Sequence, residues 1–179
     1  MASQASAQTA SSGSGVYIGV VGGTQFLDGG ENFIDYDPGF LIGGQVGYRI
    51  GSFRTEAEIA YQTSELRDGG NDVFGIDVIQ GTLSAYYDLP VVPELSGLTP
   101  YIGGGIGGAN ITVDGKNGSS FEDDETGFML ASEFGVGIAV SGAFTIVPHY
   151  RFEWFDTGVA GFDDALYDHA FRLSARLGF

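Results

Sequence analysis

The sequence predicts an all-β fold, an eight-stranded antiparallel up-and-down transmembrane β-barrel. Three observations carry that prediction. Hydrophobicity alternates with a period of two in eight separate stretches, the spacing of a strand with one apolar and one polar face. Longer polar connections alternate with generally shorter turns, as they do when a barrel's loops cluster at one end. Aromatic side chains gather near the two ends of the strands, with mainly Ile, Leu, Val, Ala and Gly between them.

Composition sets the outer limits. The chain has 179 residues, enough for one domain of ordinary size, with 31 Gly, 14 Phe, 9 Tyr, one Trp, five Pro and no Cys. Without cysteine there is neither a disulfide framework nor a thiolate metal site. A net charge of −16 argues against nucleic acid, which needs a basic footprint. No run of 18 apolar residues is present, so no transmembrane helix is expected. After Met1, residues 2–14 are Ala, Ser, Gln, Thr and Gly without charge or period; 1–14 read as a disordered tail in which Ala5-Ser6-Ala7 looks like the small-residue end of a trimmed secretory signal. Residues 15–179 are expected to form the barrel.

The strands follow in order. The first is expected over 15–26, with Val16, Ile18 and Val20 opposite Tyr17, Gly19, Val21, Gly23 and Gln25. The second, 39–50, sets Phe40, Ile42, Val46, Tyr48 and Ile50 against Gly43, Gln45, Gly47 and Arg49. Gly51-Ser52 turns the chain into the third, 53–64, where Phe53, Ala57, Ile59 and Tyr61 oppose Arg54, Glu56, Glu58 and Gln62. The fourth, 75–88, sets Ile79, Leu83, Ala85 and Tyr87 against Gln80, Thr82, Ser84 and Tyr86; the proline-bearing connection 89–98 leads to the fifth, 99–113. The sixth, 127–140, sets Phe128, Leu130, Phe134, Val136, Ile138 and Val140 against Met129, Glu133, Gly135 and Gly137. Ser141-Gly142 turns into the seventh, 143–155, with Phe144, Ile146, Tyr150, Phe152 and Trp154 opposite Thr145, His149, Arg151 and Glu153. The eighth, 167–179, places Phe171, Leu173, Ala175, Leu177 and Phe179 on one face and Arg172, Ser174, Arg176 and Gly178 on the other. Loops fall at 27–38, 65–74, 114–126 and 156–166, the third with the acidic run Glu122-Asp123-Asp124-Glu125. Pro148 sits mid-strand without a donor for the ladder, so a bulge or a wide hydrogen-bonded pair is expected there.

Alternation alone does not say which face is outside. A soluble lipocalin-like barrel binding an apolar ligand puts the apolar face inward; a membrane barrel puts it outward. Aromatic placement favours the membrane. Tyr48, Phe53, Tyr87, Phe144 and Phe179 form one girdle at the short-turn end, and Phe40, Tyr61, Phe128, Trp154 and Phe171 another at the long-loop end. On the polar faces Arg49, Arg54, Arg151, Arg172 and Arg176 share space with Glu56, Glu58, Glu133 and Glu153, a set able to pair within a narrow lumen.

Three stretches carry a family resemblance. The opening Tyr17-Ile18-Gly19-Val20, the segment Tyr86-Tyr87-Asp88-Leu89 leading through a proline-bearing turn to Leu98-Thr99-Pro100-Tyr101-Ile102-Gly103-Gly104-Gly105-Ile106-Gly107, and the terminal Phe179 on an alternating strand are similar to small bacterial outer-membrane barrels of the OmpA-like and opacity-type porin family. The resemblance implies a Gram-negative outer-membrane location with the four long loops extracellular. It also implies that Phe179 and the last strand are the signal read by the barrel-assembly machinery.

Candidate chemistry is sparse. His149 and His169 are the only histidines. Glu153 and Thr145 on the face of His149 allow a catalytic dyad to be imagined, and a place in the lumen ion-pair network is the plainer reading. No G-x-S-x-G is present, and no enzyme activity is expected. The glycine run 103–108 lacks the lysine and helix of a phosphate loop. The acidic loops offer hard oxygen ligands without EF-hand spacing, so a solvated exterior or weak divalent-cation binding is expected, and no cofactor. The functional expectation is a monomeric structural or surface-interaction barrel in outer-membrane lipid, with a narrow pore for small solutes as the alternative: lumen glycines 19, 23, 43, 47, 135 and 137 could leave a thin water path.

Overall fold

The computed structural model describes residues 14–28, 38–68, 71–90, 97–115, 122–156 and 166–179. Eight strands form: β1 (Gly15–Asp28), β2 (Gly39–Ile50), β3 (Phe53–Asp68), β4 (Asn71–Asp88), β5 (Leu98–Gly115), β6 (Glu122–Ala139), β7 (Phe144–Asp156) and β8 (Leu166–Gly178). Each pairs antiparallel with its sequence neighbours, and the sheet closes as a barrel through β1 and β8. That seam runs from Tyr17 opposite Gly178 to Asp28 opposite Tyr167, and the Phe179 N–H donates to the Val16 carbonyl at 2.9 Å. No sheet edge is left open.

The faces decide what surrounds the barrel. Ile59 is 70% exposed and Leu83 65%, whereas Arg151 is 1% and Glu153 0%. Charge inside and aliphatic surface outside reverses the order of a water-soluble protein. Hydrocarbon is the surrounding that makes this order favourable, so the lipocalin-like alternative fails.

Several strands are longer than hydrophobic alternation indicated. β3 and β4 stay paired out to Asp68 opposite Asn71, with a register shift between Leu66 and Arg67, and β5 and β6 out to Asp114 opposite Glu122. Much of the expected loops 65–74 and 114–126, including Glu122 to Glu125, is therefore strand. The physical reason is that the ladder is made by backbone groups: apolar alternation stops when a hairpin leaves an apolar medium, and backbone pairing does not. The β1 strand takes in Leu27 and Asp28. The remainder of the first and fourth loops, 29–37 and 157–165, lies outside the described residues.

The short-turn end follows the sequence reading. Gly51 has φ 59°, a left-handed conformation that favours glycine. At the β6–β7 turn, Val140 and Ser141 donate to the Phe144 carbonyl at 2.9 and 3.1 Å, and the Phe144 N–H donates to Ser141 Oγ at 3.2 Å. Pro148 points outward, opposite Leu173 of β8. On its β6 side the ladder goes from the Gly135–His149 pair to the Ile138–Ile146 pair in unchanged register. The missing donor interrupts the ladder there, and no register-shifting bulge forms.

Candidate functional site: the barrel lumen

Three layers fill the lumen, stacked from the short-turn end to the long-loop end. The first surrounds a cavity of about 390 Å³ that opens at the turn end. Asp88 of β4 accepts from Arg54 Nε at 2.8 Å and lies 3.1 Å from Arg49 Nη2. The Arg54 guanidinium sits over the rings of Tyr101 at 4.4 Å and Tyr86 at 4.9 Å. Arg176 of β8 lies 5.3 Å from the Tyr17 ring centre and 3.1 Å from Glu56. The Tyr17 hydroxyl donates to the same carboxylate at 2.7 Å.

The middle layer is the densest. Glu58 of β3 receives Arg151 Nη1 at 2.8 Å and Arg172 Nη2 at 2.6 Å. Arg151 Nε is 3.1 Å from Glu133. The Tyr101 and Tyr86 hydroxyls donate to Glu133 at 2.6 and 3.3 Å. His149 stands between two partners: Nδ1 is 2.9 Å from Glu133 Oε1, and Nε2 is 2.9 Å from Ser174 Oγ. All of these side chains are buried. Each charge has an opposite partner in the lumen, which is the condition under which buried charge is tolerated, while Arg172 Nε and Nη1 find no acceptor among the described residues.

The third layer is acidic. Glu153 receives the amide nitrogens of Gln80 at 3.0 Å and Gln62 at 3.2 Å, and Arg151 reaches it only at 3.5 Å. Asp168 lies directly across the strand pair from Glu153, is 0% exposed, and has no hydrogen-bond partner for either side-chain oxygen. Next to this layer, Val78, Ala109, Ile111, Met129 and Phe155 pack into an apolar cluster on β4 to β7.

The His149–Ser174–Glu133 contacts have the connectivity of a base with a hydroxyl on one side and a carboxylate on the other. They differ from the dyad imagined from the sequence. Glu153 and Thr145 are four residues from His149 on the same strand, about 13 Å away along it, whereas the partners found are on neighbouring strands. Ser174 is 0% exposed, and Glu133 is already engaged by Arg151 and two tyrosines. With its hydroxyl buried and its carboxylate already engaged, the arrangement fits a fixed strut between adjacent strands.

The outer membrane protein beta-barrel domain family matches this sequence over residues 1–179. The chain belongs to that family. Among solved structures, Neisserial surface protein A superposes with a TM-score of 0.69 at 18% identity, covering 93% of this chain and 99% of that one. The N-terminal barrel of OprF from Pseudomonas aeruginosa gives 0.52 at 17% identity over 91% and 97%. Ail from Yersinia pestis gives 0.52 at 14% identity over 93% and 97%. At these identities the likeness concerns the fold. No curated protein sequence matches. Family and fold together make the chain an outer-membrane β-barrel protein of Gram-negative type.

In this outer-membrane barrel the ten charged residues singled out from the sequence all point inward, although Arg49 remains one-third exposed at the mouth. Sequence reasoning missed the acids Asp88 and Asp168, the hydroxyls of Tyr17, Tyr86, Tyr101 and Ser174, and the amides of Gln62 and Gln80. Their signal was present: each has the strand parity of a polar face. Among the aromatic residues expected at the girdles, Phe40, Tyr48, Phe53, Tyr61, Tyr87, Phe128, Phe171 and Phe179 are outward and exposed, while Phe144 and Trp154 are partly covered. The middle of the outer face is not uniformly aliphatic. Phe134, Tyr150 and Phe171 pack ring to ring across β6 to β8, and Tyr150 hydrogen-bonds His169 Nδ1. His169 therefore belongs to the outer surface, not the lumen. A shallow depression of about 780 Å³ also lies on that outer face, walled by Val46, Tyr48, Leu83 and Ile106.

Proposed function

We propose that this protein is a non-conducting structural barrel whose long loops present an acidic surface outside the cell. The observation supporting it is the middle layer of the lumen. Arg151, Arg172, Glu58, Glu133 and His149, all buried, link β3, β6, β7 and β8 by ion pairs inside the barrel. Two of the glycines that suggested a water path are backed by bulky side chains. A Cβ on Gly47 would meet the Tyr17 ring at 2.1 Å, and one on Gly135 would meet His149 Cβ at 2.6 Å. At Gly47 and Gly135 larger side chains already fill the space the glycine leaves.

In this reading the barrel is a monomer held in outer-membrane lipid, with 27–38, 65–74, 114–126 and 156–166 at the extracellular end. The assembly machinery engages β8 and Phe179, and the acidic tips meet surface partners or weakly held divalent cations. Ail has been crystallised with a heparin analogue, sucrose octasulfate. An acidic exterior favours partners of the opposite charge. The test is single-channel recording in planar bilayers, paired with labelling of a cysteine placed at position 118 in intact cells. No steady unitary steps and full labelling by a membrane-impermeant maleimide are expected. Reproducible conductance steps would overturn the closed lumen, and a protected cysteine would overturn the orientation.

A further inference from the structure

We propose that Asp168 and Glu153 hold one proton between them, carried on Asp168, and that this proton is a pH-sensitive latch on the long-loop end of β8. The two carboxyls meet across the β7–β8 ladder, and both residues are 0% exposed. Two adjacent carboxylates with no donor between them repel, and in a site closed to water one of them keeps its proton. Hydrogen bonding says which. Glu153 accepts from Gln62 and Gln80 and is approached by Arg151, so its ionised form is served. Neither oxygen of Asp168 meets a donor in hydrogen-bond geometry among the described residues, although the main-chain N–H groups of Phe26 and His169 lie beside it. An O–H on Asp168 supplies the missing donor and gives it to the Glu153 carboxylate.

The surroundings offer no other counter-charge among the described residues. Arg151 on β7 and Arg172, four residues along β8, are the cations nearest the pair in sequence, and both are drawn to Glu58 in the middle layer. Strands β1, β3 and β4 present the neutral Gln25, Ser64, Gln62 and Gln80, and β2, β5 and β6 present Leu41, Ile111 and Met129. The unpartnered polar atoms of this layer are all oxygens: Gln25 Oε1, Gln80 Oε1 and both of Asp168. They are too buried for a metal ion or a water to reach, whereas a proton needs no cavity.

Position gives the proton its consequence. Asp168 stands opposite Leu27 of β1 as well as Glu153 of β7, where β8 is joined to both neighbours. Loss of the proton to solvent sets two negative charges face to face across that seam. The folded barrel holds one more proton than the unfolded chain, in which both acids ionise near their ordinary values of about 4. The pair's contribution to stability is therefore present in acid and lost as pH rises through the point where the folded pair ionises. Relative to D168N, the folding equilibrium constant falls by up to about tenfold per pH unit in that window.

The test is infrared spectroscopy of the full chain, refolded in an ester-free amine-oxide detergent and taken from mildly acid to alkaline pH. A neutral carboxylic-acid C=O band is expected at neutral pH. It should shift when aspartate carries ¹³C at its side-chain carboxyl, and be missing from D168N. In E153Q, which removes the facing charge, the band should vanish at lower pH than in the wild type. Amide hydrogen exchange at 167–170 should be faster in the wild type than in D168N above the pH where the band is lost, and equal to it below. If D168N does not fold, the isotope shift and E153Q decide the proton's place without it. No acid band at neutral pH would overturn the proposal. So would a band untouched by the aspartate label, one that persists in D168N, or one whose loss is unmoved by E153Q. Exchange in alkali no faster than in D168N would overturn the latch.

Discussion

Replacing Glu58 with leucine tests whether the lumen is dry. Glu58 pairs with both Arg151 and Arg172, at 2.8 and 2.6 Å, with all three side chains buried. Removing one member of a buried ion pair costs about 3–5 kcal/mol, mostly because the remaining charge is stranded. Here the two arginines differ. Arg151 keeps Glu133 at 3.1 Å and Glu153 at 3.5 Å, whereas Arg172 has no second carboxylate within reach among the described residues. The loss therefore falls chiefly on Arg172, and about 4 kcal/mol is expected for E58L. With an m-value of about 2 kcal/mol/M, the urea midpoint falls by about 2 M. E58Q keeps an acceptor but not the charge and should cost about half as much. Folded fractions are read as the fast-migrating unboiled band after equilibration in urea from both directions. In a cycle with R172L, the second substitution should be less harmful in the E58L background by about 1–3 kcal/mol. A midpoint drop below about 0.5 M for E58L would mean that water solvates Arg172, and the closed lumen would have to be abandoned.

Two other outcomes follow from the same layers. Asp168→Asn replaces a buried acid whose oxygens have no partner and offers an N–H toward Glu153 across the strand pair, so it should stabilise the barrel by about 1 kcal/mol in the same urea assay; destabilisation would show that the acid at this position is already compensated. Deleting Phe179 removes one backbone bond to Val16 and a ring that is 76% exposed, so refolded stability should change by about 1 kcal/mol at most. If the terminal residue is the signal for assembly, outer-membrane levels in cells should fall several-fold despite that; unchanged levels would refute the signal.

The period-two pattern made the barrel legible because a sheet with hydrocarbon on one side and charge on the other leaves no freedom in parity. Ile59 and Glu58 are neighbours in sequence and opposite in exposure, and one register slip would exchange them. What the pattern could not give was the partner of each charge. His149 illustrates the limit: its own strand offers Glu153 and Thr145, but its contacts come from β6 and β8, 16 and 25 residues away in sequence. Which residues of the adjacent strands stand beside it depends on the register of the two pairings, which no single strand encodes. For the tyrosines parity gave the face and not the hydroxyl's partner. Tyr86 and Tyr87 are adjacent and chemically identical, and only parity separates a hydroxyl that bonds Glu133 from a ring at the outer surface. Strand ends were misjudged where backbone pairing outlasts apolar alternation.

The two ion pairs between β8 and β3 have a consequence for the order of folding. Arg172 lies on the last strand and Glu58 on the third, 114 residues apart in sequence. Arg176 and Glu56 span the same two strands. Neither pair can exist in an open sheet, because β8 reaches the far wall only after it has zipped against β1. Until that moment the guanidiniums and carboxylates must keep their hydration, and an unfinished sheet carries a wet, charged concave face into the bilayer. Closure and drying are then one event. The last seam to form locks in the charge pairs, expels the water and removes the reason for the intermediate to linger.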